Sequence, residues 1–122
     1  MANRNFNRKQ ALDREVKELF ADISIGASGA PTLSRGLGVA SVAKTATGEY
    51  TITLQDKYSR LMHASASVMS ASAEDVHAQL QSESVASAKT LVIRTQKADL
   101  TLVNPASGDR ILVKIDVKNS SI

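Results

Sequence analysis

The chain has 122 residues, 43% of them hydrophobic, and a formal charge of +3, which allows one domain with a modest core. With no Trp, two Phe and two Tyr, that core has to be built from Val, Ile, Leu and Ala. The absence of Cys excludes a disulfide framework, and no apolar run reaches the roughly 18 residues of a membrane-spanning helix.

The first segment, residues 1–15, reads as a basic N-terminal arm. Arg4, Arg8 and Lys9 supply the whole formal excess, because the first nine residues contain no acid and the remainder carries 12 basic against 12 acidic side chains. Two readings stand side by side: a solvated terminus, or an arm that docks on an acidic partner surface with Phe6, flanked by Asn5 and Asn7, as its apolar anchor. "MANRNFNRKQ" lacks the apolar stretch of a secretory signal, so the expectation is synthesis without export.

Residues 16–122 read as a β body. In "ALDREVKELFADISI", Leu12, Val16, Leu19, Phe20 and Ile23 fit a helical stripe, and Leu19, Ala21, Ile23 and Ile25 fit a strand. The second half is taken as a strand, with a helical turn before it. "GASGAPTLSRGLG" has four Gly and a Pro and reads as a loop. Val39 to Lys44 and "EYTITL", separated by Thr47-Gly48, read as an antiparallel hairpin.

"DKYSRLM" suggests one helical turn leading into a strand with Met62, Ala64, Ala66 and Val68 on one face. Residues 64–88 are dense in Ala and Ser, whose small side chains suit close strand packing or a subunit contact. Val76, Ala78 and Leu80 predict another half-wet strand, and "TLVIRT" a strong one. "LTLV" reads as a short strand and "NPASGD" as a turn. In "RILVKIDVK", Ile111, Val113, Ile115 and Val117 face inward and Lys114, Asp116 and Lys118 face water. The sum is an all-β protein, a single β-sandwich or jelly-roll-like barrel. Its predicted core includes Ile52, Leu54, Val92, Ile93, Val113 and Ile115.

No catalytic, cofactor or metal site emerges. His63 and His77 lack partners at metal-ligand spacing, no G-x-S-x-G elbow supports a serine nucleophile, and the Gly-rich stretch lacks the phosphate-loop pattern. Glu15 with Glu18, and Glu74 with Asp75, read as solvated carboxylates. A neutral body with few aromatics offers neither a charged stripe nor a stacking platform for nucleic acid. The expectation is a protein that is not an enzyme and binds neither specific nucleic acid nor membrane.

The stretches "IGASGAPTL", "GEYTITLQDKY" and "NPASGDRILVKIDVKNSSI" resemble the capsid decoration, or cement, proteins of tailed bacteriophages, over roughly residues 16–122. The resemblance implies a structural virion protein that binds the outside of the capsid and stabilises the head lattice. Its partners would be the major capsid protein and its own copies, a homotrimer in preference to a homodimer. It would be made in the host cytoplasm. The family has no catalytic residues to carry over, so the candidate binding residues are those of the arm: Arg4, Phe6, Arg8 and Lys9. The alternative is a fibre- or tail-associated receptor-binding module. Such modules stack exposed aromatics on sugars, and Tyr58 and Phe6 are the candidates outside the expected core strands.

Overall fold

The computed structural model describes residues 16–119. Eight strands run in chain order: β1 (Val16–Ile25), β2 (Pro31–Leu37), β3 (Val39–Ala46), β4 (Glu49–Leu54), β5 (Arg60–Met69), β6 (His77–Ser84), β7 (Thr90–Gln96) and β8 (Arg110–Lys118). They form two antiparallel four-stranded sheets, β2-β1-β8-β5 and β3-β4-β7-β6, packed face to face as a β-sandwich. The arm residues Arg4, Phe6, Arg8 and Lys9 lie outside the described residues; of the segment expected to hold a helical turn, residues 16–18 are extended in β1 and the rest also lies outside.

Period-two alternation builds the core. Leu19, Ala21, Ile23 and Ile25 of β1 face in, as do Ile111, Val113, Ile115 and Val117 of β8. Their register pairs Leu19 with Ile115, Ala21 with Val113 and Ile23 with Ile111. From the opposite sheet come Tyr50, Ile52 and Leu54 of β4 and Leu91 and Ile93 of β7. Fully burying one such aliphatic side chain contributes about 1.5–3 kcal/mol.

The strand reading of "LFADISI" holds, and the hairpin of β3 and β4 turns at Thr47-Gly48 as expected. Five expectations need correction. Residues 26–38 are not all loop: a 3-10 turn at Ala27–Gly29 is followed by β2, paired antiparallel with β1. Pro31 is tolerated as the first residue of an edge strand, where a missing N–H removes little of the ladder. Gly38, at φ +78, carries the chain from one sheet to the other, and a Cβ there would fall 2.4 Å from Leu19 Cδ2.

Residues 55–59 form bends without a helical turn, and Tyr58 is buried, its N–H donating to the Val85 carbonyl at 3.0 Å. "LTLV" contributes only the single bridge Gln96–Leu102, because Lys97 N–H bonds Thr101 O at 2.9 Å and turns the chain back at once. Val92 is half-buried rather than core. Leu91, Ile93 and Thr95 point inward, so Val92 has to point outward, opposite Thr51 and Ser82.

Met62 also leaves its expected face. It is the extra residue of a bulge between Leu61 and His63, which pair with Val117 and Asp116. Leu61 takes the inward position, packed against the core with Ala64, Ala66 and Val68.

Denaturant melts should show Ile115→Ala losing about 2–5 kcal/mol, the range for a large-to-small change at a fully buried site. Val92→Ala should lose well under half as much. Equal losses would mean that the inward and outward rows of these strands had been exchanged.

Candidate functional site

One face of the sandwich breaks the rule that outward residues are polar. On the outer side of the β2-β1-β8-β5 sheet, register pairs Leu37 with Phe20, Phe20 with Lys114, and Lys114 with Ser65. The adjacent row runs Arg35, Asp22, Leu112, Ser67. Phe20, Leu37 and Leu112 remain 44%, 60% and 39% exposed. They border a groove of about 580 Å³ whose other walls include Arg35, Ser65, Ser67 and Lys114.

The sequence makes this groove by the sizes of neighbouring side chains. β1 and β2 raise Phe20 and Leu37 at one end, whereas β5 contributes only the small Ser65 and Ser67. Single exposed apolar residues are ordinary, but adjoining ones around a concavity mark interaction surfaces. Such a surface binds by apolar burial. Two cationic side chains, Arg35 and Lys114, stand among its walls.

Asp22 is part of this row and also lines the groove; it is bound by Arg110, whose Nε donates to Asp22 Oδ1 at 3.0 Å and whose Nη2 donates to Oδ2. The Arg110 hydrogen bonds hold the Asp22 carboxyl below the usual carboxylate range. Burial pushes more weakly upward, and the charges of Arg110 and Arg35 add to the lowering. Arg110 Nη1 also approaches Met69 Sδ at 3.8 Å, tying β8 to β5.

At one end of the sandwich, three stretches singled out in the sequence meet. The Tyr50 hydroxyl donates to Gly29 O at 2.8 Å, and burial pushes its pKa up to about 12. Asn104 accepts from Gly48 N–H at 2.8 Å and donates to Ser28 O at 3.3 Å. Lys44 Nζ donates to the same Ser28 carbonyl at 2.8 Å. Gly29 has φ +74, and a Cβ there would fall 2.6 Å from Asn104 Cβ. "IGASGAPTL", "GEY" and "NPASGD" thus interlock as a structural closure.

The histidines sit apart. His63 is exposed on β5 opposite Asp116, and His77 Nε2 lies 3.3 Å from Asp75 Oδ1. Glu74 accepts from the Ser70 hydroxyl. Among the described residues, no three of His, Cys, Asp and Glu gather as a metal-ligand set. Phe20, Leu37 and Leu112 escaped the sequence reading as binding residues. The available signal was phase: Phe20 and Leu112 are large apolar residues on the polar beat of otherwise alternating strands. Comparison with protein-family models, curated proteins and solved structures finds no match to this chain.

The Asp22–Arg110 pair carries a pH signature. A carboxyl whose folded pKa is lowered stabilises the protein above its unfolded pKa, and that contribution fades as pH falls through the folded value. Wild type should therefore exceed Asp22→Asn in denaturant stability at pH 7, with the gap closing from about pH 4 downward. A gap independent of pH, or none at pH 7, would contradict the lowered pKa.

Proposed function

We propose that this protein is a non-catalytic virion component that attaches to the outer surface of a tailed-phage head and stabilises its lattice. The observation that supports this most is the apolar groove of Phe20, Leu37 and Leu112 on a rigid sheet face. The resemblance of the strand and turn sequences to decoration proteins supplies the class of partner, the major capsid protein. Attachment uses two parts of the chain. The groove gives apolar burial with Arg35 and Lys114 among its walls, and the arm adds Phe6 with Arg4, Arg8 and Lys9. Both are suited to an acidic, partly apolar capsid surface.

Self-association completes the design, since linked copies engage several lattice sites together and multiply weak contacts. A receptor-binding module is less well supported. Tyr58, one of two aromatics considered for sugar stacking, is 5% exposed and belongs to the core.

A binding titration on undecorated heads tests this. Phe20→Ser leaves the inward row of β1 untouched and should weaken attachment about five- to thirty-fold, the span of a 1–2 kcal/mol contact. Deleting residues 2–10 should also weaken it and flatten its decline with salt. Unchanged affinity for both proteins would refute head attachment through these surfaces.

A further inference from the structure

The two sheets end in four edge strands, β2, β5, β3 and β6, and they are not equally protected. An open edge presents unpaired backbone donors and acceptors, which proteins commonly guard with bulges, charges or proline. β2 begins with Pro31, carries Arg35, and is broken by an extra residue at Ser34. β3 carries Lys44 and extra residues at Ala40 and Thr45. β6 carries Glu83 and an extra residue at Gln81. None of the three keeps more than four residues in unbroken register.

β5 differs. Its single bulge is at Met62, near one end, and His63 to Met69 then pair with β8 without a shift for seven residues. That run, "HASASVM", contains no Pro, Lys, Arg, Asp or Glu. We infer that the outer edge of β5 is the self-association surface, pairing antiparallel with β5 of a second copy. This would join two sheets into one of eight strands, ordered β2-β1-β8-β5-β5-β8-β1-β2.

Charge favours a second copy as the occupant. An isologous pair brings each strand against its own copy, so pairing through β2, β3 or β6 would carry Arg35, Lys44 or Glu83 of both copies into the interface. Centred on Ala66, the β5 pair sets Ala64 opposite Val68, Ser65 opposite Ser67 and His63 opposite Met69, with no like-charge contact. A strand paired with its own copy also closes at two, so the geometry selects the dimer over the trimer.

Size sets the strength. Seven residues span about 24 Å, and a sandwich flank about 20 Å deep gives roughly 1,000 Å² over both copies, near the lower limit of specific interfaces. The free dimer should therefore be reversible and depend on concentration. Its two-fold axis stands perpendicular to the joined sheet, so both grooves open on the same side. That bivalent presentation rests on the head-attachment reading, whereas the dimer itself does not.

Sedimentation of the full chain over a concentration range, without phage heads, tests the inference. Wild type should show a monomer–dimer equilibrium. S65K/S67K sets like charges across the two-fold and should weaken the dimer about tenfold or more, whereas S65K/S67E sets opposite charges there and should restore it. Both substitutions lie on the wet face, and circular dichroism and melting check that the fold is retained. A strictly monomeric wild type, or equal association by the two double variants, would overturn the inference. So would loss of the dimer on deleting residues 2–10, because the arm would then be the occupant.

Discussion

The antiparallel register between β1 and β8 is the constraint on which the rest depends. These central strands pair continuously from Val16–Lys118 to Ser24–Arg110. Side chains alternate, so one register buries Leu19, Ala21 and Ile23 against Ile111, Val113 and Ile115 and sends Phe20, Asp22 and Leu112 outward. A slip of β1 by one residue would turn Asp22 toward the core, where an unpaired carboxylate is costly. The Asp22–Arg110 bond on the wet face is compatible with the native pairing and opposes that slip. The apolar groove is a consequence of the same register. Phe20 cannot be buried without exposing the row beside it.

The second requirement is closure. Tyr50 lies in the core, yet its hydroxyl must find an acceptor, and Gly29 provides one because its left-handed backbone turns the carbonyl inward. Asn104 joins the loop before β8 to the turn between β3 and β4. Thr95 is fully buried and donates to Val103 O at 2.6 Å, holding the same loop against β7. The Tyr50 and Asn104 bonds link segments far apart in the chain, so the end of the sandwich is fixed by polar pairing while its middle is held by apolar burial.

The sequence made the fold class and most of the inward rows legible because β4 and β8 alternate cleanly. It obscured β2, since Gly and Pro signal loops in most contexts but are tolerated on an edge. Val92 was misplaced because three consecutive β-formers hide which beat faces inward. The bulge at Met62 inserts one residue and cannot be seen without the partner strand. The groove was the least legible feature: Phe20, Leu37 and Leu112 are far apart in sequence, and only register makes them neighbours. The formal charge excess lies instead in the arm, at Arg4, Arg8 and Lys9.

Hydroxyl-radical footprinting of the protein, free and attached to phage heads, tests the binding face most directly. Attachment through the outer face of the β2-β1-β8-β5 sheet should protect Phe20, Leu37 and Leu112, leaving Val92 on the opposite outer face labelled as in the free protein. Protection centred on Val92, with the groove residues labelled equally in both states, would place the binding face on the other sheet and contradict the assignment.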